Sequence, residues 1–125
     1  MVNRGVIGAE RAGQQRLKAM AAADVATNMH LVIITATDPY QLRERRDVMR
    51  RLVRGDGDIH GRRLYTDAAL MDARYVLKCI NTRLRGAELT ERQALMLLNS
   101  ITRVYKALEA GQPFPSDAYS RMGGG

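Results

Sequence analysis

Residues 66–111, TDAALMDARYVLKCINTRLRGAELTERQALMLLNSITRVYKALEAG, read as two helices joined by a short turn. Thr66 is placed to cap the first of them, which spans Asp67 to Arg85. Its apolar positions, Leu70, Ala73, Val76/Leu77, Ile80 and Leu84, recur every three to four residues and form one stripe. Gly86 stops it. Thr90-Glu91-Arg92-Gln93 then has the pattern of a capping box, in which the hydroxyl takes the third amide and the glutamine returns to the cap amide. The second helix runs to Ala110, carries Ala94, Leu97/Leu98, Ile101, Val104/Tyr105 and Leu108 on one side, and stops at Gly111. A link of about four residues favours an antiparallel helical hairpin. Leu77, Ile80, Ile101 and Val104 are expected between its arms.

Upstream, Asp38-Pro39 is a helix start: the carboxylate accepts from an exposed amide and proline suits the first helical position. That helix runs to Arg54 and ends at Gly55, with Leu42, Val48, Met49, Leu52 and Val53 on its apolar side. The segment before it, Ala9 to Ala36, has a strongly helix-favouring middle at Lys18–Ala23. Val25, Met29, Val32 and Ala36 continue from Ala22 at helical spacing. Leu31–Thr35 is rich in β-branched residues and is open to a short strand; a strand has no visible partner here, so the segment reads as helix. The fold expected is all-α: a compact bundle of four main helices in residues 1–111, the hairpin at 67–110, and an extended tail at 112–125.

Composition narrows the function classes. The chain has 125 residues, one domain's length, and 20 basic residues against 13 acidic ones, a net of +7. Seventeen of the 20 are arginine. Apolar residues reach 46%, too many for a disordered tail protein. With no tryptophan and one phenylalanine, the core must be aliphatic and methionine-rich. Cys79 stands alone, so no intrachain disulfide forms. Met1–Gly8 lacks the apolar stretch of a signal peptide, and Leu31–Ile34 is far too short to cross a bilayer. The expected location is the cytoplasm, or a particle assembled there, with no membrane contact.

Few residues point to chemistry. Asp56, Asp58 and His60 lie in a glycine-rich loop that lacks the ligand pattern of a calcium site, and Asp and Gly are ordinary turn residues. His30 and His60 lie in different elements from Cys79; His30 reads as a satisfied interior histidine and Cys79 as a small buried hydrophobe. No catalytic residue, metal or cofactor is expected.

The arginines are more informative. From Asp38 to Arg63 there are eight arginines against five acids, a net of +3. Arg43, Arg50 and Arg54 fall near one helical face, interrupted by Asp47, and Arg46, Arg62 and Arg63 lie nearby. The planar guanidinium fork suits phosphate oxygens, so these six are the candidate nucleic-acid contacts, directed to the backbone rather than to base sequence. Arg74, Lys78 and Arg85 form a second basic row, which either extends that surface or merely solubilises its helix. Ala19, Ala21, Ala22, Ala23 and Ala26 on the first helix, and Leu95 and Met96 on the last, are surplus apolar surface and suggest a homo-oligomer. Phe114 and Tyr119 are candidate anchors if the tail inserts into a protein partner.

The expectation is a non-enzymatic, self-associating basic accessory protein that contacts nucleic acid; the alternative is a protein–protein adaptor or inhibitor that uses its tail as an arm. In size and layout the chain is similar to phage packaging subunits and virion connector rings. It carries no motif of either, and the absence of a clear helix-turn-helix counts against a packaging subunit.

Overall fold

A computed structural model describes residues 22–111, and within them every regular element is helical. Helix α1 occupies 22–35 of the described chain. It is followed by α2 (Pro39–Arg54), α3 (Asp67–Leu84) and α4 (Glu91–Ala110). The β-branched stretch 31–35 is helical throughout. The upstream part of the first helix, with Ala19 and Ala21, lies outside the described residues, as does the tail.

The local signals act as their chemistry requires. Asp38 accepts the Tyr40 amide at 2.9 Å with Pro39 at the first helical position. Thr66 Oγ1 accepts from the Ala69 amide at 3.1 Å. In the capping box, Thr90 Oγ1 takes the Gln93 amide at 3.1 Å while Gln93 Oε1 takes the Thr90 amide at 2.9 Å. Helix α2 ends at Gly55, whose φ of 83° places it in the left-handed region and lets the Asp56 amide turn back to the Arg51 carbonyl at 2.9 Å. Gly86, with φ of 88°, does the same for α3, sending the Ala87 amide to the Thr82 carbonyl. The connection between α3 and α4 is therefore 85–90, slightly longer than the spacing suggests, because the last turn of α3 unwinds after Leu84.

The hairpin is antiparallel. Asp72, early in α3, receives two bonds from Arg103, late in α4: Nε to Oδ2 and Nη2 to Oδ1, both 2.9 Å. Helix α3 packs against both α2 and α4. Pro39 and Leu42 at the start of α2 line one cleft with Leu84 and Gly86 at the end of α3, so these two helices also run in opposite directions. Helix α1 closes the bundle. Asn28 Oδ1 meets Arg45 Nη2 of α2 at 3.5 Å, His30 Nε2–H donates to the Ala94 carbonyl of α4 at 2.8 Å, and the Tyr105 hydroxyl of α4 reaches Met29 Sδ at 3.8 Å.

Between the helices lies an aliphatic core centred on Ile33, Met49, Leu52, Val76, Ile80, Leu97, Ile101, Val104 and Leu108, all fully buried. At about 25 cal/mol per Å² of apolar surface removed from water, each contributes roughly 1.5–3 kcal/mol. Ala26, Ala36, Ala69 and Ala73 are buried among them and let the backbones approach. Three expectations shift. On α1 the buried positions are Ala26, Met29, Ile33 and Ala36, whereas Val32 is half-buried and Val25 is 44% exposed. The stripe thus follows Ala26 and Ile33, because α3 and α4 meet α1 one residue round from the valines. On α3, Ala69, Ala73, Val76, Cys79 and Ile80 are central, and Leu70, Leu77 and Leu84 lie at the rim. Leu77 is accordingly only half-buried, while Ile80, Ile101 and Val104 sit between the arms.

Candidate nucleic-acid interface

The surface of α2 follows from its sequence. Leu42, Met49 and Leu52 fix which side turns inward, and a 100° step per residue places Arg43, Arg50 and Arg54 together on the outer side. All three are exposed. Their surroundings divide the arginines of this region into two groups.

The first group is held by the protein itself. Arg45 pairs with Glu44 at 3.1 Å and turns toward Asn28. Arg46 is half-buried with its Nε 3.7 Å from an Asp47 carboxylate oxygen; that nitrogen is removed from solvent and has no hydrogen-bond acceptor. Arg51 Nε donates to the Gly57 carbonyl at 3.2 Å. Arg54 pairs with Asp56 at 3.2 Å, both side chains remaining largely exposed. Arg62 is the most firmly held: its Nε donates to Asp58 Oδ2 at 2.8 Å and its amide to Oδ1 at 2.8 Å.

Asp58 organises the whole turn between α2 and α3. Its Oδ1 also accepts from the His60 amide at 2.9 Å. Its own amide donates to the Arg62 carbonyl at 2.9 Å, and Gly61 closes the turn on the Asp58 carbonyl. Burial alone would raise the Asp58 carboxyl, but the Arg62 amide, the Arg62 guanidinium and the His60 amide outweigh it and hold the group below the ordinary aspartate range. Gly57 is buried with φ of 83°, and a Cβ there would meet the Arg62 carbonyl oxygen at 3.2 Å. The turn is thus specified by Asp58 and Gly57. Among the described residues no group of three or more His, Cys, Asp or Glu is placed to hold a metal.

The second group is unengaged. Arg43, Arg50 and Arg63 are exposed and make no hydrogen bond or ion pair with the described residues. The carboxylates near them are occupied: Asp38 by the helix cap, Glu44 by Arg45, Asp47 beside Arg46, Asp56 by Arg54 and Asp58 by Arg62. Of the six arginines expected at the interface, Arg43, Arg50 and Arg63 have no partner among the described residues, Arg54 is loosely paired, and Arg46 and Arg62 are engaged. Phe114 and Tyr119 lie outside the described residues.

Two arginines of the hairpin have roles that the sequence does not signal. Arg103 pairs with Asp72 across the helices. Arg83 sends Nε to the Ile33 carbonyl at 3.0 Å, Nη2 to the Ala36 carbonyl at 2.8 Å and Nη1 to the Ala87 carbonyl at 3.1 Å. It thereby satisfies carbonyls at the C-terminal end of α1, where the helix dipole favours a cation. The only hint is a basic residue on the buried side of α3.

The remaining titratable interior groups are quiet. Cys79 is buried, and burial pushes its thiol up, partly offset by the Tyr75 hydroxyl and Lys78, so it is a poor nucleophile. Tyr105 is pushed up to about 12, by burial first and by the Asp58 carboxylate second, against Arg45 and Arg62. No helix of the described chain is long and apolar enough to cross a membrane. Comparison of the chain with models of protein families, with curated proteins and with solved structures finds no match.

Proposed function

We propose that this chain is a non-enzymatic, self-associating accessory protein that contacts nucleic-acid phosphates through Arg43 and Arg50 of α2, extended by Arg54 and Arg63. The observation that carries the reading is the uneven engagement of the arginines. Among the described residues every carboxylate close to α2 is occupied, yet Arg43, Arg50 and Arg63 are exposed and have no partner there. A guanidinium offers two parallel donors to a phosphate, and such contacts carry no sequence information. Self-association rests on apolar side chains that the bundle leaves outside: Leu31 on α1 at 50% exposure, with Leu95 at 62% and Met96 at 44% on α4.

The test is a fluorescence-anisotropy titration across a salt series on two nucleic acids of unrelated sequence. Arg43→Gln with Arg50→Gln should weaken binding to both alike. Each lost phosphate contact should lower the steepness of log affinity against log salt by about 0.9 on duplex DNA. Unchanged affinity and slope would reject this face. Light scattering on the eluting protein, read at two ultraviolet wavelengths, reports oligomer size and bound nucleic acid together; a monomer would remove self-association from the reading.

A further inference from the structure

Helix α3 carries a second basic row outside the bundle. Arg74 and Lys78 are exposed, and their side chains make no contact with an acid or acceptor among the described residues. The side chain of Arg85, also exposed, reaches only the Thr82 hydroxyl among the described residues, at 3.3 Å. These three lie within about 40° of one another around the helix, on the side away from Ala69, Ala73, Val76 and Ile80, and extend over roughly 16 Å. Asp67, at the helix start, is the one acid on this row; Asp72 points to Arg103.

The position of the α2 row relative to it follows from how α2 packs. Arg45 turns to Asn28 of α1. Helix α2 also packs on α3, where Leu42 lines a cleft with Leu84 and Gly86, and half-buried Arg46 lies one turn from Leu42 on the edge away from Arg45. Arg43 and Arg50 stand about 60° and 40° from Arg46, on the half of the exposed arc nearer α3. The two rows therefore rise on the same side of the molecule from antiparallel neighbours.

We infer that α2 and α3 together form a two-row site for a nucleic-acid duplex, each row following one of the two backbones that border a groove. This rests on the phosphate-contact reading above and extends it to α3. Packed helix axes lie about 8–10 Å apart and the grooves of B-form DNA are about 6 and 12 Å wide, so two rows on neighbouring helices are on the scale of two backbones bordering a groove. A single strand is held differently, by one charged track with aromatic rings for the bases. Exposed rings accompany the α2 row, where Tyr40 precedes Arg43 and Tyr65 follows Arg63, but none stands on the α3 row, whose Tyr75 is half-buried beside Cys79; the α3 row is therefore the part that a single strand would not use.

Two double variants separate the claims: Arg74→Gln with Lys78→Gln on α3, and Arg43→Gln with Arg50→Gln on α2. Circular-dichroism melting first establishes that both keep the wild-type fold. Each is titrated with a duplex and with one of its isolated strands over a salt series. The α3 variant should lower the duplex slope by about 1.8, two contacts at about 0.9 each, and leave the single-strand slope unmoved. The α2 variant should lower both. A normal duplex slope for the α3 variant, beside a lowered one for the α2 variant, overturns the two-row site and leaves the α2 reading standing. Equal loss on duplex and single strand for the α3 variant overturns the duplex assignment. No binding by the unmodified protein overturns both readings.

Discussion

The hairpin and α2 use the same residue for opposite ends. In α3 and α4, Arg83 and Arg103 turn toward other helices and are satisfied there, by three backbone carbonyls and by a two-pronged carboxylate. In α2, Arg43 and Arg50 turn outward and meet no partner among the described residues. Removing the first kind exposes unsatisfied carbonyls or a stranded carboxylate, whereas removing the second exposes nothing. Stability should therefore depend on the hairpin arginines, and binding on the α2 pair. Arginine is far denser on α2, with six against four in the two hairpin helices together, yet density does not say which side chain is engaged.

The largest effect that would break this comparison lies in the hairpin core. Ile101 is fully buried, so Ile101→Ala should destabilise by about 2–5 kcal/mol in urea unfolding. A near-neutral result would remove the hairpin as the stable half of the molecule. Arg83→Gln comes next. It leaves the Ile33 and Ala36 carbonyls without their charged donor and should cost about 2 kcal/mol. Hydrogen exchange should rise at the end of α1 before it rises in α4. Uniform acceleration along the chain would mean that Arg83 does not hold α1 in particular.

Asp58 sharpens the contrast through pH. Its carboxyl lies below the ordinary value of 3.8, so the ionised form stabilises the fold. That contribution is complete above the unfolded-state value and is lost as pH falls through the lowered folded-state value. Asp58→Asn should be less stable than the parent at neutral pH, and the gap should narrow in acid below about 4. A constant gap down to strong acid would mean that the charge has no part in holding the turn. The smallest effect is expected on α2 itself: Arg43→Gln and Arg50→Gln should each change stability by no more than about 0.5 kcal/mol. A larger loss would show that α2 is held by these side chains and would weaken the case for their being reserved for a ligand.

How much could be read beforehand depended on range. Asp38-Pro39, Thr66 and the Thr90–Gln93 box are local signals whose donors and acceptors lie within three residues, and each formed as its chemistry demands. The hairpin was legible because a short link between two amphipathic helices leaves little choice. What failed was set by neighbours distant in sequence. The α1 stripe moved from Val25 and Val32 to Ala26 and Ile33 because its orientation is decided by α3 and α4, and small residues give a weak periodic signal. Arg62 looked as free as Arg63 in the sequence, yet the turn built on Asp58 captures one and leaves the other. The face shared by Arg43, Arg50 and Arg54 was readable from spacing alone; which of them lacks a partner was not.

The Arg83 contacts also bear on the order in which the chain folds. Arg83 lies 50 and 47 positions from Ile33 and Ala36, while the Asp72–Arg103 pair closes across 31. Contacts over shorter separations cost less chain entropy to close and tend to form earlier. By this criterion the α3–α4 pair closes before the seam between α1 and α3 that Arg83 completes. A late contact of this kind governs how fast the native state opens rather than how fast it is reached. Arg83 is then a brake on unfolding, and the seam it closes between α1 and α3 is where the bundle should first come apart.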